Sequence, residues 1–116
     1  MKDDQVESVV SRLSPDSPVI CIRPEVIENT ARNLVSMFPG QVLYAVKCNP
    51  HSIVLKSLFK GGITHFDTAS INEVKIVSDL FGVKVNCHFN HPVKARSSIK
   101  EASANYGINK FVVDTE

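Results

Sequence analysis

Lys47 closes an apolar run, Val42-Leu43-Tyr44-Ala45-Val46, and is followed by Cys48-Asn49-Pro50. Burying an ammonium at the end of such a run is costly unless the group is paired or loses its charge. A desolvated lysine amine is a usable nucleophile and can condense with a carbonyl carbon to give a Schiff base. The plain alternative is a lysine that points into solvent from a strand-to-helix loop. Asp67, in Phe66-Asp67-Thr68-Ala69-Ser70, stands at the mouth of the next apolar run. It either faces a ligand there or caps the turn that follows. Glu73 already has a structural use, because Ser70-Ile71-Asn72-Glu73 fits a capping box in which side chains satisfy the free backbone donors of a helix start. His88 and His91 lack nearby cysteine or carboxylate partners at ligand spacing, so they read as loop histidines and not as metal ligands. Gly61-Gly62 follows a helical stretch and does not open one, which makes it a turn and not a phosphate-binding loop.

The elements around these residues alternate. Residues 1–17 are a polar lead-in with room for about one helical turn. Val19-Ile20-Cys21-Ile22 is a short β-type run, and Pro24 then suits the first turn of a helix carrying Ile27, Ala31, Leu34 and Phe38. The run 42–46 lacks polar alternation, as expected of a strand covered on both faces in a parallel sheet. Helical spacing returns at Ile53, Val54, Leu58 and Phe59, and a second strand is expected over 63–66. The capping box opens a helix with Val74, Val77 and Leu80 inward, stopped by Gly82. A third strand is expected over 83–88, a helix from Pro92 to Gly107, and a fourth strand near Phe111-Val112-Val113. Successive strand ends lie roughly 20 to 25 residues apart, the length of one strand plus one crossover helix. The pattern is α/β with about four parallel strands, and it is compatible with an open doubly wound sheet or with part of a barrel. A closed (β/α)8 barrel takes about 250 residues.

Composition narrows the setting. The 116 residues carry 13 Lys and Arg against 12 Asp and Glu, and the basic residues are dispersed, which argues against a nucleic-acid partner. No apolar run approaches the roughly 20 residues that span a bilayer. The start, Met1-Lys2-Asp3-Asp4-Gln5, lacks the layout of a signal peptide. Cys21, Cys48 and Cys87 are scattered and odd in number, which suits reduced thiols and a cytoplasmic location.

Tyr44-Ala45-Val46-Lys47-Cys48-Asn49 resembles the cofactor-lysine segment of the ornithine decarboxylase family. Phe66-Asp67-Thr68-Ala69-Ser70 with Glu73 resembles a second segment of that family, and Asn90-His91-Pro92-Val93-Lys94 a strand-to-helix loop of its bacterial members. Phe111-Val112-Val113-Asp114-Thr115-Glu116 resembles the next strand and its acidic tail. The matches run in order over about residues 18–116. Alanine racemases and diaminopimelate decarboxylases share such a lysine, but usually have a small residue where Cys48 stands.

The resemblance implies pyridoxal 5'-phosphate as cofactor, with Lys47 as its covalent and catalytic lysine and Asp67 facing it. It implies that residues 18–116 are the N-terminal half of an alanine racemase-like (β/α)8 barrel. The rest of the barrel, a β-domain, the phosphate loop, the stacking histidine and the carboxylate for the ring nitrogen would then lie beyond residue 116. The implied reaction is decarboxylation of a small basic amino acid, L-ornithine to putrescine first, by a longer homodimeric protein. The rivals are lysine or diaminopimelate decarboxylation, racemisation, or a non-catalytic chain like the antizyme inhibitors or a truncated reading frame. The 116 residues alone are expected to be inactive and poorly stable.

Overall fold

The computed structural model describes residues 6–115. The elements in order are α1 (Val6–Leu13), α2 (Pro24–Met37), β1 (Leu43–Ala45), α3 (Ser52–Lys60), β2 (His65–Thr68), α4 (Ile71–Phe81), β3 (Asn86–Phe89) and α5 (Arg96–Tyr106). Short 3-10 turns at Val46–Cys48 and Gly82–Lys84 follow β1 and α4. The three strands form one parallel sheet in the order β1-β2-β3, so each helix between strands is a crossover. Start and stop signals explain the boundaries. Pro24 opens α2, Ser70 Oγ accepts from the Glu73 amide at 3.2 Å at the start of α4, and Gly107 ends α5 at φ 65°, a left-handed conformation that a Cβ disfavours.

One face of the sheet is covered by helices. Phe66 and Thr68 point to that side and are fully buried, with Phe66 stacked on Phe81 at 5.6 Å and Phe81 on Phe59 at 4.8 Å. Phe66, Leu55, Val46, Val77, Ile63 and Ala31 form the main core, and Val74, Phe89, Ala102 and Ile108 a second cluster. Helix α4 joins the two, giving Val77 to one and Val74 to the other, and Lys75 pairs with Glu101 of α5 at 3.0 Å. Each side chain of this size contributes about 1.5–3 kcal/mol by leaving water. The α2–α3 contact is close because residue 61 is glycine. A Cβ there would lie 2.6 Å from both the Ala31 Cβ and the Glu28 carbonyl oxygen.

Five sequence expectations change. The fourth strand is reduced to a single parallel bridge, Phe89 to Phe111. A physical reason is at hand, since the Val112 carbonyl, which would continue the ladder, accepts from the Lys94 ammonium at 2.5 Å. Pro92 does not start α5; the Val93 amide donates to His91 Nδ1 at 3.1 Å in a turn of its own, and the helix begins at Arg96. Val19–Ile22 belongs to no strand, and Ile20 is 91% exposed. The lead-in holds more helix than one turn, eight residues of α1, none of them buried. The run 42–46 is also covered on one side only, because β1 is partly exposed at all three of its positions.

Candidate functional site

The carboxyl-terminal edge of the sheet collects the chemistry. Ala45 pairs with Asp67, and Asp67 with His88, across the two parallel ladders. Side chains alternate along a strand, so Leu43, Ala45, His65, Asp67, Asn86 and His88 share the face turned away from the helices. Lys47 follows Ala45 by two residues, inside the Val46–Cys48 turn, and is exposed. Among the described residues its amine has no hydrogen bond or ion pair, and neither does the Asp67 carboxylate, which has His88 as electrostatic neighbour. Val46 is fully buried on the opposite, helix-covered face and anchors the turn in the core. The desolvation expected for Lys47 from the apolar run before it is therefore absent. Its strand delivers it to the sheet mouth, where the turn lifts it clear of the core.

The loop beyond Lys47 is braced. Tyr44 Oη donates to the Asn49 carbonyl at 3.4 Å, the Asn49 side chain accepts from the His51 amide at 3.0 Å, and His51 Nδ1 caps α3 by accepting from the Ile53 amide at 3.2 Å. Burial, and then Cys48 nearby, push the Tyr44 phenol above its ordinary value, which keeps it a neutral donor. Glu73 turns away from the mouth to its capping task, accepting from the Ala69 amide at 2.8 Å. Thr68, fully buried, donates to the His88 carbonyl at 2.9 Å and ties β2 to β3.

His88 is the third residue of β3, inside the strand expected over 83–88 and not the loop histidine its spacing to His91 suggested; only His91 lies in the loop. Its ring stands 5.6 Å from that of His65, and its Nε2 is sealed from solvent without a hydrogen-bond partner among the described residues. Burial first, then the Lys110 ammonium and His65, lower its pKa, against an opposing pull from Asp67. His65 is lowered by burial and by Lys110. These three side chains were missed as a group. The signal available was the alternation His65-Phe66-Asp67, which places both polar residues on one face. Among the described residues no three His, Cys, Asp or Glu side chains are placed to hold a metal ion, and no helix is long and apolar enough to cross a membrane.

A primary amine without a competing partner, a carboxylate on the adjacent strand and a small residue between them suit an aldehyde-bearing cofactor attached to Lys47. The family model for the pyridoxal-dependent decarboxylases, pyridoxal binding domain, matches residues 24–116. The chain belongs to that family. Its cofactor is pyridoxal 5'-phosphate.

Among curated relatives, the lysine/ornithine decarboxylase of Selenomonas ruminantium is 28% identical over 115 residues, covering 98% of this chain and 28% of the relative. Antizyme inhibitor 2 of Xenopus laevis is 29% identical over 117 residues, covering 97% and 25%. The lysine/ornithine decarboxylase of Vibrio vulnificus, solved in complex with putrescine, superposes with a TM-score of 0.77 at 32% identity, over 96% of this chain and 30% of that one. The chain thus spans between a quarter and a third of the length of these relatives.

Proposed function

We propose that residues 18–116 form the opening half of a (β/α)8 barrel in a pyridoxal-phosphate-dependent decarboxylase of basic amino acids, with L-ornithine as substrate and putrescine as product. The observation that carries the reading is the exposed, partner-free Lys47 amine at the mouth of a parallel sheet, one strand away from Asp67. Barrel enzymes of this kind place their chemistry at that end of the strands. Lysine is the neighbouring substrate, since both relatives named as decarboxylases carry lysine and ornithine together in their names.

When bound, pyridoxal phosphate supplies an electron sink for the pair left behind as the substrate carboxylate departs as carbon dioxide. Lys47 would hold the cofactor through its exposed amine. Asp67 presents a fixed negative charge to the group at the sheet mouth. The Tyr44–Asn49–His51 brace keeps the Lys47 turn from drifting, so the amine is presented in one place at little entropic cost. A homodimer completing the substrate site, and action in the cytoplasm, belong to the same proposal.

Incubation with pyridoxal phosphate followed by borohydride should fix one label, on Lys47, and Lys47→Ala should remove it. Label on Lys56 or Lys60, both exposed on α3, overturns the assignment. Carbon dioxide release from ornithine, lysine and arginine by the protein with its barrel complete then ranks the substrates. The similarity to antizyme inhibitor 2 favours one second reading, a non-catalytic relative. Absence of decarboxylation of any of the three by the completed protein would select it.

A further inference from the structure

The open face of the sheet carries a row of side chains that runs across four neighbouring backbone segments. Ala45 pairs with Asp67 and Asp67 with His88, and the Phe89–Phe111 bridge puts Lys110 level with His88 on the next segment. The segment holding Lys110 is pinned in place. The Phe89 amide donates to the Lys110 carbonyl at 2.9 Å, and the Lys94 ammonium clamps the Val112 and His91 carbonyls, each at 2.5 Å. Backbones in such a row lie about 4.8 Å apart, so each side chain stands within reach of the next. Its members are a carboxylate, an imidazole and an ammonium, in that order.

His88 sits in the middle with a buried, partner-free Nε2. A buried polar atom without a partner is costly, and native proteins keep few of them unless the group has a task. We propose that His88 is a positioning residue for Asp67: its neutral imidazole, level with Asp67 on one side and Lys110 on the other, keeps a ring N–H uncommitted in this structure, gives it to the carboxylate once a cofactor occupies the face, and so fixes how Asp67 addresses that cofactor. The proposal rests on the reading of Lys47 and Asp67 as the cofactor site. The charged and titratable groups facing His88 are Asp67 and His65 on β2 and Lys110 on the next segment, while β1 contributes only Leu43 and Ala45 to that face. Burial first, then Lys110 and His65, disfavour a positive charge on the ring, so the imidazole is neutral near neutral pH and retains one N–H and one free lone pair. The lone pair can accept from Lys110 while the N–H serves Asp67. When the ring takes up a proton at lower pH it becomes an ion-pair partner of Asp67, draws the carboxylate against the sheet and away from the cofactor, and weakens the site.

The test uses the intact chain and two readouts. In a proton NMR titration, the His88 ring should show a midpoint below the ordinary 6.5. Asp67→Asn should move it further down and Lys110→Met should move it up. The Asp67 carboxyl carbon should show an inflection at the His88 midpoint, and His88→Asn should abolish it. In the second readout, borohydride fixation of pyridoxal phosphate on Lys47 should slow on the acid side through that midpoint. His88→Asn, which keeps an N–H donor but does not titrate, should flatten that profile, while His88→Leu should slow fixation by about tenfold near neutral pH, as loss of a hydrogen bond to a charged group predicts. The proposal is overturned by a His88 midpoint that neither Asp67→Asn nor Lys110→Met moves, or by His88→Leu fixing cofactor as fast as the unaltered chain. If the unaltered chain fixes no label on Lys47, the cofactor reading fails instead, and the titration still decides whether His88 holds Asp67.

Discussion

Asp67 stands directly across the β1–β2 ladder from Ala45, and Lys47 follows Ala45 by two residues. The small side chain at 45 thus lies on the face that carries Asp67, two residues before Lys47. Ala45 is only partly buried and belongs to neither core cluster, so its size matters to the site more than to stability.

Ala45→Leu should therefore reduce fixation of pyridoxal phosphate on Lys47 by about tenfold or more, through displacement of the groups beside it. The thermal midpoint should shift little. Unchanged fixation rates in the leucine variant would show that the cofactor does not occupy the space above Ala45.

The α2–α3 contact predicts a different outcome at Gly61. Its φ is an ordinary −75°, so the glycine is required by proximity and not by backbone conformation. An added methyl would press on the Ala31 Cβ and on the Glu28 carbonyl, both backbone-fixed. Gly61→Ala should cost about 1–3 kcal/mol in urea unfolding, the range for overpacking. A double variant with Ala31→Gly should recover part of that loss, because it vacates one of the two contacts.

The two open-face histidines make stability depend on pH. Both are held below the ordinary 6.5, so between that value and their folded values the unfolded chain binds more protons than the native one. Stability then rises with pH across that window, and the contribution is present in full above 6.5 and lost as pH falls through the folded values. Thermal midpoints should climb as pH rises towards 6.5 and level off above it. His65→Gln with His88→Asn should flatten the climb.

Cys87 gives the opposite slope in the alkaline range. Burial raises its thiol from the ordinary 9.0 to about 11, so the native state holds the proton longer than the unfolded chain does. Its contribution is complete below pH 9.0 and is lost as pH rises through about 11. With a thiol reagent near pH 8, the exposed Cys21 and Cys48 should react first, and Cys87 only as the chain unfolds. Equal rates at all three would contradict the burial.

Much of the fold was legible because local chemistry dictated it. The capping box at Ser70 and Glu73, the proline that opens α2 and the glycines after α3, α4 and α5 act over a few residues, and all mark ends where the structure has them. The alternation of apolar runs with helical stripes specified parallel strands, since crossover helices leave no other arrangement. Lys47 and Asp67 were identifiable as strand-end residues for the same reason, and the family resemblance carried by their neighbours supplied the cofactor. What only the tertiary structure decided depends on contacts between distant segments. The Lys94 ammonium takes the carbonyl that would have extended a fourth strand, and nothing in the local sequence at Phe111 announces that competitor. The exposure of Lys47 follows from the turn at Val46–Cys48, not from the hydropathy of the run before it. The row Asp67–His88–Lys110 exists only through register, because residues more than twenty positions apart in the chain become neighbours when three parallel segments align, and a period of two along each strand cannot reveal which rows will meet.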